Sequence, residues 1–363
     1  MEKARDQTID IAKGIAIIAI VLGHVLRGLG SAGLVDSSSA AFMASDRALY
    51  MGHLTVFAFL SGLFVARGVE KDGSAGYLRG RLGTFLYLYL VWQTLQVIVK
   101  LGTASLVNSA PDTKALLEVW NPEGQMWFLP WLIIATSLAV FLRPWRETVS
   151  SWLGIAAVSV VSIAAWGYGG PHVGMQGLSL LIFFVVGARV RFQRLSANLA
   201  AMKATALGIA AVGAAAVYSG ILLWTPAIPP TVNAAWSVGG VSFGIAASAA
   251  GLAGVLALSA LASRLKSGVA WLAFAGKRSL EIFLAHIIAA SGTRIVLEKL
   301  GIDDPALHII AGLACGMIGP LLLWWLLSRV GFTWLFQRPA FIGRKPGTAQ
   351  TSPPARADTA ARQ

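Results

Sequence analysis

Three ionisable side chains lie in the first apolar run of the chain, DIAKGIAIIAIVLGH, and each is costly to place in hydrocarbon. Lys13 and His24 are separated by about 20° after three whole helical turns, so both project from one face of a helix. Asp10, one turn before Lys13, lies on the same side. The helical rise places His24 about 16 Å along the axis from Lys13. One helix face thus carries an ionic pair at one end and an imidazole, a base near neutral pH, at the other.

A purely structural interpretation of this helix stays open. Asp10 and Lys13 would then form an ion pair at the membrane interface, and His24 would be a core histidine hydrogen-bonded to a neighbouring helix.

Two later segments add polar candidates. His53 opens the aromatic stretch HLTVFAFLSGLF, in which Ser61 and Gly62 form a small pair suited to close helix packing. The basic segment that follows contains Arg79 and Arg81. The positive-inside rule accounts for each arginine alone, but such a cluster also suits phosphate, which arginine binds bidentately.

Further along the chain, NPEGQMWFLPW places Glu123 and Trp127 at the start of an apolar run. A tryptophan there is typical of the aromatic belt at the membrane interface, and its face also suits a sugar ring. In the run SLEIFLAH, about 140° of helical rotation keeps His286 off the face that carries Glu281.

The elements that must position these residues are transmembrane helices. Of the 363 residues 56% are hydrophobic and only 12% are charged, about half the charge of a soluble domain. The sequence predicts an all-α, polytopic transmembrane bundle of about ten helices, each long enough to cross about 30 Å. The predicted runs are residues 10–29, 48–66, 83–101, 126–142, 151–167, 175–190, 204–224, 236–262, 271–291 and 306–329. The pair 151–167 and 175–190 is short, and a re-entrant hairpin is its alternative.

The distribution of positive charge supports this number of helices. With the N-terminus inside, all but six of the 29 Lys and Arg residues fall on the cytoplasmic side. The exceptions are Arg27, Arg47, Lys100, Lys114, Arg294 and Lys299. This pattern predicts that both termini are cytoplasmic, that Lys13 lies at the cytoplasmic mouth, and that His24 lies in the outer half of the membrane. It explains the net charge of +13 without nucleic acid, for which no aromatic-basic motif is present.

The domain organisation is simple. We expect residues 1–342 to form one membrane domain and residues 343–363, rich in Pro, Ser, Thr, Ala and Arg, to form a disordered cytoplasmic tail. The first apolar run lacks a small-residue cleavage site after it and is expected to be a retained helix. A single cysteine, Cys315, excludes an intrachain disulfide framework. No metal site is expected.

Taken in order, these motifs resemble the acyltransferase-3 family of integral membrane O-acyltransferases, and most of all its fucose 4-O-acetylase-like branch. The matching segments are DIAKG with Lys13 and His24, HLTVFAFLSGLF, YLRGRLGTFLYLYLVW, MWFLPWL and AGKRSLEIFLAH. The resemblance covers residues 5–330. The chain departs from the family where FLYLYLVW lacks a proline often found before its tyrosine, and where Arg79 and Arg81 differ from the spaced arginine pair of some members.

The resemblance implies an enzyme of the bacterial cytoplasmic (inner) membrane that moves an acetyl or other acyl group from acetyl-CoA or another acyl-CoA to a hydroxyl group. The acceptor would be a sugar, a glycan or a lipid-linked saccharide, with membrane lipids as the other partner. The implied roles are catalysis for His24 and Asp10, donor binding for Lys13, Arg79 and Arg81, and acceptor binding for His53, Ser61, Glu123 and Trp127.

Whether an acyl-histidine intermediate forms stays open. Two other hypotheses remain. The chain could be a transporter or flippase without covalent chemistry, or it could relay the acyl group to a separate transferase.

Overall fold

The computed structural model describes residues 7–105, 112–170, 173–265 and 268–339, and within these ranges it consists of twelve α-helices joined by turns and 3₁₀ segments. The helices are α1 (Gln7–Ser31), α2 (Ala40–Gly62), α3 (Val65–Gly102), α4 (Phe128–Leu142), α5 (Val149–Ala164), α6 (Leu181–Val190), α7 (Phe192–Ala201), α8 (Ala204–Trp224), α9 (Val238–Ala262), α10 (Ala270–Lys277), α11 (Ser279–Lys299) and α12 (Pro305–Arg329). The predicted all-α bundle is confirmed. The predicted tail, residues 343–363, lies outside the described residues.

Eleven of the twelve helices overlap the ten predicted runs, α7 lies between two of those runs, and the other differences concern where helices begin, end or divide. The short helices α7 and α10 have 10 and 8 residues, fewer than a membrane crossing needs. The predicted run 271–291 is divided between α10 and α11, because Arg278 leaves helical geometry at φ −107° and ψ 19°. Helical structure begins at Val65 and not near residue 83, and Gly73, at φ 69° and ψ 164°, divides α3 into two helical segments.

Seven segments of the described chain are long and apolar enough to cross a membrane. They are Gln7–Ser31, Val65–Gly102, Gly124–Leu142, Ala204–Trp224, Val238–Ala262, Ser279–Lys299 and Pro305–Arg329. Helices α5 and α6 are apolar but shorter, so the re-entrant alternative for that pair stays open. The cytoplasmic placement of both termini also stays a prediction.

Helix α1 lies at the centre of the bundle. It contacts α2, α9, α10, α11 and α12, and Ile11, Ile17 and Val21 on its different faces have no exposed surface. A helix surrounded by protein can carry polar side chains into the membrane, because their partners are other helices and cavities and not lipid. This position explains why the first apolar run tolerates Lys13 and His24.

Helices α2 and α6 cross at backbone distance. A Cβ atom added at Gly62 would lie 2.0 Å from the carbonyl oxygen of Phe184, and one added at Gly187 would lie 2.2 Å from that of Phe59. Small residues at such crossings let two backbones approach closely. The predicted close packing at the Ser61–Gly62 pair is therefore confirmed for Gly62.

We expect Gly187→Val to lower the free energy of unfolding by about 1–3 kcal/mol, because the added side chain forces α2 and α6 apart. Gly213→Val is the matched control: it makes the same change inside α8, where a Cβ would meet no atom within 4 Å. Thermal unfolding of both variants in detergent measures the difference. Equal midpoints for the two variants would contradict the tight crossing.

Candidate functional site

A cavity of about 230 Å³ surrounds His24 near the end of the bundle that is predicted to face outward. Its polar lining comes from α1, α2, the 3₁₀ turn before α4 and two loops. Its polar residues are His24, Arg27, Tyr50, His53, Gln125, Gln176 and Thr231, and its other aromatic residues are Trp127, Phe128 and Phe283. We call this the outer cavity.

Imidazole and phenol rings gather at the wall of the outer cavity. The ring centroid of His24 lies 5.2 Å from that of His286 on α11 and 6.3 Å from that of Tyr50 on α2. The rings of Tyr50 and His53, one turn apart on α2, are 4.8 Å apart. The consecutive helices α1 and α2 and the distant helix α11 thus bring three imidazoles to one place.

Arg27 lies one turn beyond His24 on α1 and is the cation of this cluster. Its Nε and Nη2 atoms donate to the two carboxylate oxygens of Asp46 at 2.6 and 2.9 Å. Its guanidinium carbon is 3.3 Å from the centroid of the Tyr50 ring. Because the arginine is held bidentately and stacked, it fixes α1 against α2 where His24 and His53 enter the cavity.

Gln125 offers the outer cavity an unsatisfied polar atom. Its Nε2 donates to the carbonyl oxygen of Phe283 at 3.3 Å, whereas its Oε1 is buried and has no hydrogen-bond partner among the described residues. A buried acceptor without a donor is costly, and a ligand hydroxyl would satisfy it. This feature is typical of a site that binds a hydroxyl-rich molecule.

A second cavity of about 200 Å³ lies on the Lys13 side of the same helix. Lys13, Ser61, Tyr77 and Arg81 line it together with aromatic side chains, and the Lys13 ammonium nitrogen is 5.4 Å from the ring centroid of Phe64. We call this the inner cavity. It combines two cations at its mouth with an apolar interior.

The two cavities are adjacent along α1. Ile20, Phe128 and Phe283 line both of them, so these three apolar side chains form the wall between Lys13 and His24. The inner cavity and the outer cavity are therefore neighbours, and these three side chains form the hydrocarbon partition between them.

A basic cleft of about 510 Å³ continues from the inner cavity. Helix α3 is interrupted at Gly73, whose φ of 69° is accessible to glycine, and Tyr77 then packs so closely on Gly68 that a Cβ there would lie 2.1 Å from its ring. Residues nine apart in a straight helix are about 13 Å apart, so the chain folds back here. Arg67 and Lys71 precede the fold, Arg81 follows it, and all three line the cleft.

A third cavity, of about 470 Å³, lies between α1, α2, α8 and α9. Its lining is almost wholly small or apolar, with Ala48, Gly52, Ala215 and Gly254 among its residues. We call this cavity the apolar groove, and His53 lines both the apolar groove and the outer cavity. The imidazole of His53 thus separates a hydrocarbon-like space from a polar one.

The structure brings some of the sequence-predicted site residues together and separates others. His24, His53 and Trp127 meet at the outer cavity, and Lys13, Ser61 and Arg81 meet at the inner one. Asp10 is buried near the N-terminal end of α1, about 21 Å along the axis from His24.

Two further predicted residues lie outside the lining of both cavities. Arg79 is exposed and contributes to neither the inner cavity nor the basic cleft. Glu123 forms an ion pair with Lys100 at 2.5 Å, and its backbone N–H donates to Gln93. Glu123 therefore anchors the segment that carries Gln125.

The sequence alone assigned no role to Arg27, Tyr50 or Gln125, and it did not predict the contact of His286 with His24. A signal was present for two of them, because Arg27 follows His24, and Tyr50 precedes His53, by one helical turn. Of the two remaining histidines, His308 lines neither cavity. His308 interacts through Nε2 with the carbonyl oxygen of Ile302 at 2.7 Å, and His172 lies outside the described residues. Within the described ranges, no group of three or more His, Cys, Asp or Glu could hold a metal ion.

The fold and cavities define a multi-pass membrane protein in which the cationic inner cavity adjoins the histidine-containing outer cavity. The family model described as acyltransferase domain matches residues 6–328, and the chain belongs to this family, acyltransferase-3.

Curated relatives match part of the chain. The nodulation protein NolL of Sinorhizobium fredii is 28% identical to the chain over 44% of the chain's residues. The nodulation protein NolL of Mesorhizobium japonicum is 26% identical over the same share of the chain. The chain spans 42% of the length of each of these relatives. No solved structure matches the chain.

Proposed function

We propose that this protein is an acyl-CoA-dependent O-acyltransferase that moves an acetyl group from acetyl-CoA to a hydroxyl of a sugar or glycan. One observation carries the proposal: the cationic inner cavity and the histidine-containing outer cavity adjoin along α1, with Ile20, Phe128 and Phe283 between them. A charged coenzyme with a long, thin arm suits the inner cavity, and a polyhydroxylated acceptor suits the outer cavity.

The donor would enter from the basic cleft. Arg67, Lys71 and Arg81 would hold the nucleotide phosphates there, since guanidinium and ammonium groups donate several charge-assisted hydrogen bonds to phosphate. Lys13 would hold the phosphate nearest the pantetheine arm, which would pass the aromatic side chains of the inner cavity. Asp10 would serve this donor end as the acidic neighbour of Lys13, since it is too far from His24 to exchange a proton with it.

His24 would act as the general base. Its unprotonated nitrogen takes the proton of the acceptor hydroxyl while the hydroxyl oxygen attacks the thioester carbonyl carbon. The carbon–sulfur bond then breaks, the acetyl group stays on the oxygen, and the CoA thiolate leaves with the proton that His24 had taken. An alternative mechanism, in which the acetyl group is first transferred to His24 and then to the acceptor hydroxyl, uses the same geometry.

The acceptor would occupy the outer cavity. Trp127 offers a face for a sugar ring, and Gln125 Oε1 and His53 offer partners for its hydroxyls. Glu123 would act indirectly, by holding the Gln125 segment through Lys100. The apolar groove behind His53 suits a hydrocarbon chain, which supports the lipid-linked form of the acceptor.

We place the protein in the bacterial cytoplasmic membrane, with both termini in the cytoplasm. The distribution of Lys and Arg supports this orientation, and the curated relatives come from bacteria. Acetyl-CoA made in the cytoplasm would then reach the basic cleft directly, and His24 would lie toward the outer surface.

The transporter hypothesis and the relay hypothesis make different demands. A transporter needs a route that its cargo crosses, and the hydrocarbon partition between the two cavities favours transfer of an acyl group over passage of a polar solute. A relay needs a separate transferase, so purified protein would release CoA only after that partner is added.

Membrane vesicles supplied with acetyl-CoA, labelled either in the acetyl group or in the coenzyme, test the proposal. We expect acetyl label in the saccharide fraction and an equal amount of free CoA, with no coenzyme label in that fraction. Uptake of both labels together into the vesicle lumen would instead establish transport. Mass spectrometry of glycans from a deletion strain identifies the acceptor.

Arg81→Ala is expected to raise the KM for acetyl-CoA about tenfold, because it removes one charge-assisted phosphate contact. Arg79→Ala is the matched control, since Arg79 is an exposed arginine two residues away that does not line the cleft. Initial rates at varied acetyl-CoA give both values. A similar increase in both variants would indicate that general surface charge, and not the cleft, attracts the donor.

A further inference from the structure

His286 on α11 has a defined protonation pattern. Its Nδ1 lies 2.9 Å from the carbonyl oxygen of Phe283 and 3.1 Å from that of Ile282. Carbonyl oxygens only accept hydrogen bonds, so Nδ1 must carry the hydrogen. In the neutral ring Nε2 is then a bare acceptor.

That acceptor is buried and unsatisfied. His286 has no exposed surface, and its Nε2 has no hydrogen-bond partner among the described residues. An unpaired acceptor in the protein interior costs free energy, so its persistence at this position calls for a donor. The rings in contact with it belong to Phe283 and His24, at centroid distances of 6.3 and 5.2 Å, and of the two only the imidazole has an N–H group.

His286 cannot reach a ligand directly. It is absent from the lining of both the inner and the outer cavity, whereas His24 lines the outer one. Any effect of His286 on an acceptor must therefore pass through His24.

We infer that His286 is a positioning residue: the two rings are in contact without a hydrogen bond in this structure, and when an acceptor is bound His286 Nε2 accepts a hydrogen bond from one ring nitrogen of His24. The neutral His24 ring has a single N–H, so this bond leaves its other nitrogen unprotonated and directed at the outer cavity. The inference deepens the proposed function and rests on it.

The same bond supports the ring during the reaction. When His24 takes the proton of the acceptor hydroxyl, it carries two N–H groups, and the one that faces His286 stays paired. A carboxylate performs this orienting task in many hydrolases. A neutral imidazole adds no permanent charge to the membrane interior, where an ionised carboxylate is costly.

Three substitutions test the inference in membrane vesicles supplied with acetyl-labelled acetyl-CoA. His286→Phe keeps a ring of similar size without an acceptor, His286→Gln restores an acceptor oxygen, and His24→Ala removes the residue through which His286 acts. We expect His286→Phe to lower the maximal rate at least about tenfold with an unchanged KM for acetyl-CoA. His286→Gln should recover part of the rate.

The decisive measurement is a double-mutant cycle. Because His286 acts through His24, adding His286→Phe to the His24→Ala variant should cause no further loss. An additional loss in that background, or a wild-type rate for a folded His286→Phe single variant, would overturn the inference alone. A wild-type rate for His24→Ala, or no transfer by the wild-type protein, would overturn the proposed function. Unfolding midpoints in detergent show that each variant is folded.

Discussion

Replacement of His24 by alanine is expected to lower the maximal rate of acetyl transfer by about 10²- to 10⁴-fold, because it removes the imidazole that we propose as the general base in the outer cavity. The KM for acetyl-CoA should stay nearly unchanged, since the cationic donor site lies about 16 Å away along α1. Transfer of acetyl label in membrane vesicles, corrected for the amount of folded protein, gives both values.

A control for this experiment is His308→Ala. His308 is also buried and is hydrogen-bonded to the backbone at Ile302, but it lines neither the inner nor the outer cavity. Its removal should leave the rate per folded molecule within about twofold of the wild type. Transfer at the wild-type rate by His24→Ala would show that the chemistry does not depend on the imidazole.

A larger side chain in the partition between the two cavities should slow acetyl transfer without weakening binding of the donor. Ile20 lines both cavities, and Ile20→Phe would place a ring where the acetyl group must pass to reach His24. We expect the maximal rate to fall by about 10²-fold, because a displacement of about 1 Å between reacting groups has an effect of that size. Binding of CoA, measured by calorimetry on the purified protein, should change little.

Ile209→Phe is the matched control, because the same substitution is made at a 75% exposed position of α8. A parallel loss of CoA binding and transfer in Ile20→Phe would mean that the ring disturbs the inner cavity as a whole. An unchanged transfer rate would show that the acetyl group does not cross this wall.

Local sequence was enough to predict most of the helices. Run length and hydropathy identified the segments that became the ten longer or more apolar helices, because hydrocarbon thickness sets the length of a crossing. The common face of Lys13 and His24 followed from helical periodicity alone. These features depend on residues close together in the chain.

Features that depend on packing between distant segments could not be predicted in this way. The contact between His24 and His286 depends on how α1 packs against α11, and one sequence contains no record of that pairing. The fold at Gly73 depends on the packing of Tyr77 against Gly68. In the sequence, the segment that contains these residues has the composition of an ordinary basic loop. Arg79 and Arg81 project about 160° apart on the helical segment after Gly73, and the fold decides which of them lines the basic cleft.

The partition of Ile20, Phe128 and Phe283 also bears on the energy balance of the cell. A continuous column of water joining the basic cleft to the outer cavity would conduct protons and would discharge the gradient that a bacterial membrane maintains. Hydrocarbon side chains interrupt such a column, because proton conduction needs an unbroken series of polar groups. An enzyme of the proposed kind would thus move an acyl group past these three side chains without opening a path for protons through the membrane.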